Sequence, residues 1–200
     1  MHPSEKINNI SLTATDCFIL ALEEHMSHKG TSGNMCRYVL ELEGKLNRDD
    51  LKNKLKNNIA SQQLASLSIY KGVPFRVPKW RSNANFEIEV STHEDDTFLP
   101  GAILNKVISA KKITLFTFDI IYRSNGNSTL VFSWNHLLMD GYGAVLYLKQ
   151  LNGFGNENGF LSQKTNIKFN LSALKEARKA KIFLSESSKN PTSEIGRAHV

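Results

Sequence analysis

The chain has 200 residues, 40% of them hydrophobic and 22% charged, which is enough apolar material for a core and too balanced a composition for a disordered chain. No apolar run approaches the roughly 20 residues that span a bilayer, and the polar start Met1-His2-Pro3-Ser4-Glu5-Lys6 lacks a signal-peptide core, so the sequence points to a cytoplasmic protein without an integral membrane segment. The net charge of +6 suits a polyanionic partner, but the lysines are scattered and no stripe of basic and aromatic residues alternates, which argues against nucleic acid.

Residues 1–12 read as a loose arm. Thr13 caps a first helix, with Asp16 three residues on completing a capping box, and the helix runs through Cys17-Phe18-Ile19-Leu20-Ala21-Leu22 to about Met26. From Met35 the period changes to two: Cys36, Tyr38, Leu40 and Leu42 fall on one face, as in a half-buried strand. Gly44 to Leu46 turns the chain, and Asn47 caps a second helix whose Leu51, Leu55 and Ile59 form one apolar stripe. Pro74 and Pro78 imply short extended pieces. Phe86, Ile88 and Val90 alternate with Glu87, Glu89 and Ser91 and predict another strand. The acidic run Glu94-Asp95-Asp96 then reads as a solvated loop rather than a catalytic carboxylate pair.

Leu99 to Ser109 predicts a short helix, and Ile113 to Tyr122 a strong strand. Ser124-Asn125-Gly126-Asn127-Ser128 has the Asn-Gly centre of a hairpin turn, and Thr129 to Asn135 is the return strand. Tyr142 to Leu151 has helical spacing, residues 152–159 form a loop, and a last helix runs from about Leu171 to Leu184. Gly153, Gly155 and Gly159 miss the spacing of a dinucleotide-binding turn, which excludes a phosphate cradle there. Cys17 and Cys36 sit in apolar stretches and read as small buried residues in a reducing compartment. The element order predicts an α+β fold, a two-layer α/β sandwich with a mixed, largely antiparallel sheet.

One segment carries chemistry: Leu130-Val131-Phe132-Ser133-Trp134-Asn135-His136-Leu137-Leu138-Met139-Asp140-Gly141-Tyr142-Gly143. His136 stands just beyond the end of an apolar strand, and a short turn leads through Asp140-Gly141 into a helix. A side chain held between a strand end and a helix start is well placed to react. His-x-x-x-Asp-Gly arises by composition in a chain of this length on the order of once in a hundred cases. His136 and Asp140 make a poor zinc site because no third ligand stands at a suitable spacing.

His136-x-x-x-Asp140-Gly141 in this setting resembles the signature of the chloramphenicol acetyltransferase-like superfamily of thioester-dependent acyltransferases. Plant-type acyl-CoA acyltransferases, peptide-synthetase condensation domains and wax ester synthases belong to it. The first helix, the strand Met35 to Leu42 and the turn Gly44-Lys45-Leu46-Asn47 resemble the usual start of such proteins, so the resemblance covers about residues 12–184. It implies two similar half-domains with a tunnel between them, of which residues 13–184 would be the N-terminal one. It implies an enzyme in which His136 is the general base, taking a proton from a hydroxyl or amine of a small-molecule acceptor as that group attacks the thioester carbonyl. Histidine suits the step because its ordinary pKa is about 6.5. The co-substrate would be acyl-CoA or an acyl carrier protein, with no bound cofactor and no metal. The family's motif aspartate turns away from substrate to pair with an arginine, which assigns Asp140 a structural role with Arg37, Arg76, Arg81 and Arg123 as candidate partners; Gly141 would leave room for a close turn. The sequence departs from condensation domains and wax ester synthases at Asn135, where they usually carry a second histidine. A peptide-condensation type of domain and a non-catalytic scaffold of the same fold are the alternatives.

Ile195-Gly196-Arg197-Ala198-His199-Val200 is what a common short-read sequencing adapter encodes in one frame. The expectation is therefore that these six residues are not biological. Residues 185–194 would be a tail or the start of a linker, and the C-terminal half-domain would be missing from a fragment inactive by itself.

Overall fold

The computed structural model describes residues 10–28, 34–70 and 77–153. In chain order the elements are β1 (Ile10–Ser11), α1 (Ala14–His28), β2 (Met35–Leu42), α2 (Arg48–Asn57), α3 (Ile59–Ser66), β3 (Leu67–Tyr70), β4 (Lys79–Ser82), β5 (Glu89–Glu94), α4 (Gly101–Leu104), β6 (Phe116–Tyr122), β7 (Ser128–Asn135) and α5 (Gly141–Leu151). They build two sheets, a four-stranded one in the order β2-β7-β6-β5 and a small one in the order β1-β4-β3. Every pairing is antiparallel except β5 with β6. This is the expected mixed, largely antiparallel α+β architecture, with the strands divided between two sheets.

The large sheet follows from the period of two in its strands. In β7, Leu130, Phe132 and Trp134 face one side, where Phe132 stacks on Phe118 and Trp134 at ring separations of 4.8 and 4.9 Å. Leu51, Leu55, Ala60, Leu64 and Tyr147 of α2, α3 and α5 join the same core. All eight residues of β7 are buried, because the other face is also covered. There Ile103 packs on Ile121 and Val131, and the segment from α4 to β6 runs across the strands. Polar side chains hold that segment down. Arg37 donates to the carbonyls of Ile103, Leu104 and Lys106 at 3.0, 3.2 and 2.9 Å, and buried Asp119 takes Lys106 Nζ and His93 Nε2, both at 3.1 Å.

Several local expectations hold. Thr13 and Asp16 form the capping box, N–H to Oδ2 at 2.8 Å and Oγ1 from N–H at 3.1 Å. Asn47 Oδ1 caps α2, and Gly126 turns the β6–β7 hairpin at φ +83. Of the run expected in a loop, Asp95 and Asp96 lie in one, where their carboxylates accept from the N–H groups of Thr97 and Ser124, but Glu94 is the last residue of β5, paired with Tyr122.

Other expectations are corrected. The second helix is broken at Asn58, which ends α2 and caps α3 through Ser61 N–H. Ile59 therefore leaves the Leu51–Leu55 stripe and is 54% exposed. The helix expected over 99–109 shrinks to one turn, Gly101–Leu104, because the carbonyls of residues 103, 104 and 106 are occupied by Arg37. The strand begun at Phe86 starts only at Glu89, and the one begun at Ile113 only at Phe116. Cys17 and Cys36 are half-buried free thiols rather than buried ones. The loop over 152–159, apart from its first residues, the helix over 171–184, the tail and the adapter-like end fall outside the described residues. Among the described residues no helix is long and apolar enough to cross a membrane.

Candidate active site

The His136 turn is built from β7 outward. Asn135 pairs with Met35 at the end of the β2–β7 ladder. His136 N–H continues the pairing by one step, donating to the Asn34 carbonyl at 2.7 Å, while Asn34 Nδ2 donates to the Ile19 carbonyl of α1 at 3.0 Å. Asn135 then organises the turn with both its backbone and its side chain. Its carbonyl accepts from Leu138 N–H at 2.9 Å and its Oδ1 from Leu137 N–H at 3.0 Å. Its Nδ2 donates to Glu23 Oε2 at 2.7 Å and to the Ile108 carbonyl at 2.8 Å. On the far side of the turn, Trp134 Nε1 donates to the Met139 carbonyl at 2.9 Å.

Asp140 closes the turn as the N-cap of α5. Its Oδ1 accepts from Gly143 N–H at 2.7 Å, and its backbone is extended at φ −80, ψ 178. A carboxylate there also meets the positive end of the helix dipole. None of the arginines suggested by the sequence reaches it among the described residues. Arg37 clamps the 103–106 carbonyls. Arg123 binds Thr129 Oγ1 and the carbonyls of Asp95, Thr97 and Phe98. Arg81 lies over the Tyr70 ring, and Arg76 is outside the described residues. Among the described residues, Asp140 supports the turn through the end of α5.

Gly141 sits at a close approach. Tyr38 Oη donates to the Gly141 carbonyl at 3.0 Å, and a methyl group on Gly141 would lie 3.2 Å from that same oxygen. Tyr38 is itself held against Trp134, with ring centroids 5.1 Å apart.

His136 is half-buried at the apex of this turn, and its buried Nδ1 has no hydrogen-bond partner among the described residues. The backbone on both sides of the imidazole is pinned, while the ring nitrogen is not. No group of three or more His, Cys, Asp or Glu among the described residues could hold a metal ion. Sequence reasoning singled out His136, Asp140 and Gly141 but missed Glu23 and the work of Asn135. The available signal was that Glu23 follows Leu20 by three positions, on the buried stripe of α1.

No family model matches the chain, and no curated protein matches it in sequence. Solved structures do match in fold. The starter condensation domain of the rhizomide synthetase RzmA superposes with a TM-score of 0.57 at 13% identity, over 72% of this chain and 36% of that one. The first condensation domain of the calcium-dependent antibiotic synthetase, solved with a substrate analogue, gives 0.56 at 13% identity over 74% and 36%. The X-domain from teicoplanin biosynthesis gives 0.56 at 17% identity over 98% and 42%. The chain thus spans about a third of the length of the condensation domains it matches. Its fold matches half of a condensation-domain fold.

Proposed function

We propose that the protein transfers an acyl group from a thioester to an amine or hydroxyl acceptor, with His136 as the general base. The observation that carries this reading is the buried Nδ1 of His136, without a partner among the described residues, at the apex of a turn whose His136, Leu137 and Leu138 N–H groups are all bonded. A buried polar atom left without a partner calls for an explanation, and a catalytic role is one. The condensation-domain fold supplies the reaction class, and another structure of the RzmA domain is a complex with C8-CoA, an acyl thioester.

In this reading the acceptor attacks the thioester carbonyl as the imidazole takes the proton from its N–H or O–H. The C–S bond breaks, and the imidazolium returns the proton to the departing thiolate. The products are an amide or ester and a free thiol, with His136 neutral again. The donor is acyl-CoA or an acyl carrier protein. Amide-bond formation between carrier-bound groups is a second reading, favoured by neighbours that belong to peptide synthetases. A second lobe completes the tunnel, and the exposed Tyr142 and Leu146, one turn apart on α5 beside the motif, are apolar surface available to it.

The test is thiol release from acyl-CoA and acyl-carrier thioesters by the product of the complete gene, with amine and alcohol acceptors. His136→Ala removes a general base worth roughly 10²–10⁴-fold in rate and should abolish nearly all turnover while the circular dichroism spectrum stays unchanged. Turnover unaffected by this substitution would end the assignment.

A further inference from the structure

The Asn135 carboxamide is buried among three groups that tolerate only one of its two orientations. Glu23 Oε2 and the Ile108 carbonyl, both on its Nδ2 side, are acceptors only, while Leu137 N–H, on its Oδ1 side, is a donor only. Glu23 is 5% exposed, and its second oxygen accepts from Ala110 N–H at 2.5 Å. None of the ion pairs among the described residues involves it. A carboxylate is costly to bury unless it is well paired, and this one answers two neutral N–H donors. One of those donors is the side chain next to His136.

We infer that Glu23 is a positioning residue for His136, acting through Asn135. The α1 carboxylate orients the Asn135 amide, the amide oxygen holds Leu137 N–H, and the turn that presents His136 is thereby set from a helix 112 positions earlier in the chain. The same carboxylate fixes Ala110 in the segment leading to β6, whose Leu115 carbonyl accepts from Asn135 N–H at 2.9 Å. Displacement of α1 is therefore transmitted to the turn by two routes. The catalytic consequence rests on the reading of His136 as the base; the geometric one does not.

Glu23→Gln separates these possibilities because a carboxamide has only one acceptor end. Ala110 N–H is backbone and cannot rotate, so the glutamine oxygen stays with it and the glutamine NH₂ faces Asn135. The two NH₂ groups repel, while the Ile108 carbonyl and Leu137 N–H still demand the original orientation of the Asn135 amide, so the amide is pushed away from α1 without flipping and the hold of its Oδ1 on Leu137 N–H is weakened. Amide hydrogen exchange of the full chain reads this directly. Glu23→Gln should speed exchange at Leu137 tenfold or more relative to Val131 and Phe132 of β7. In an Asn135→Ala background, where the Leu137 acceptor is already gone, the same change should alter it less than twofold. No change at Leu137, a uniform change across β7, or equal effects in the two backgrounds would overturn the inference. If Glu23→Gln does not fold, Glu23→Asp, with its oxygens withdrawn by one methylene, gives the same comparison; failure of both to fold would also overturn it, since Glu23 would then serve the whole core. In the assayed enzyme, Glu23→Gln should lower kcat with KM for the thioester unchanged. If His136→Ala leaves turnover intact while the Leu137 response appears, acyl transfer falls and the coupling of Glu23 to the turn stands.

Discussion

Gly141→Ala tests the architecture of the motif turn, provided it is measured with and without the Tyr38 hydroxyl. The added methyl would sit 3.2 Å from Tyr38 Oη, inside ordinary van der Waals contact, and the phenol cannot retreat freely because its ring lies against Trp134. The Tyr38–Gly141 hydrogen bond of 3.0 Å is weakened or lost, about 1 kcal/mol. Strain in the displaced Tyr38 side chain adds about 0.5–1 kcal/mol. Opposing both, alanine restricts the unfolded chain and suits the first turn of α5, worth about 0.4–1 kcal/mol. The net effect in the native background is destabilisation by about 0.5–1.5 kcal/mol. In a Tyr38→Phe background both penalties vanish, and the same substitution should stabilise by about 0.4–1 kcal/mol. The change of sign, a coupling of about 1.5–2 kcal/mol, is read from urea midpoints at constant slope. Equal effects in the two backgrounds, within about 0.5 kcal/mol, would refute the argument that the tyrosine oxygen is what excludes a side chain at Gly141.

Asp140 offers a comparison between cap and ion pair. As a cap it should tolerate Asp140→Asn with almost no loss of stability, whereas Asp140→Ala should cost about 1 kcal/mol; equal losses from both, in thermal or urea unfolding, would restore an arginine partner. The thiols give the pH dependence. Burial pushes Cys17 and Cys36 above the ordinary cysteine range, with the charge of Asp16 adding to the effect at Cys17. The unfolded chain loses these protons first, so their contribution to stability is complete below the ordinary cysteine pKa and is lost as pH rises toward the raised native values. At pH 8 the native chain should therefore react with an aromatic disulfide reagent more slowly than the urea-unfolded chain, followed by absorbance; equal rates would show both thiols to be freely solvated.

What could be read from the sequence was whatever short-range chemistry decides. The strand Met35–Leu42, the capping box of Thr13 and Asp16, the Asn-Gly hairpin and the start of α5 each depend on residues within a few positions of one another. Apart from the break at Asn58, which is local, the misread elements were decided from far away. Apolar spacing over 99–109 was sufficient for a helix, but Arg37 and Asn135 compete for the carbonyls of that segment from β2 and β7. The parallel pairing of β5 with β6 has no local signature. The same division holds at the site. His136 and Gly141 stood out through spacing, whereas the partner that Asp140 has among the described residues is backbone three residues on, which no pairing of charges could suggest. Glu23 escaped notice because a glutamate in an amphipathic helix is ordinarily solvated, and only the fold shows the carboxylate turned inward.

The register of β2 against β7 sets an order of assembly during synthesis. The β6–β7 hairpin closes over five intervening loop positions and can form as soon as it leaves the ribosome, but β2 has its partner only when Ser128–Asn135 has been made, roughly 90 residues after Leu42. At bacterial or eukaryotic elongation rates that is a wait on the order of 10 s. During it the Tyr38, Leu40 and Leu42 face of an eight-residue strand has no sheet to join. Since His136 N–H is tied to Asn34, immediately before β2, the turn that presents the imidazole can be completed only when this last strand docks. A nascent chain stalled before Ser128–Asn135 emerges would hold neither the hairpin nor the turn, and would be a natural client for a chaperone that recognises extended apolar segments.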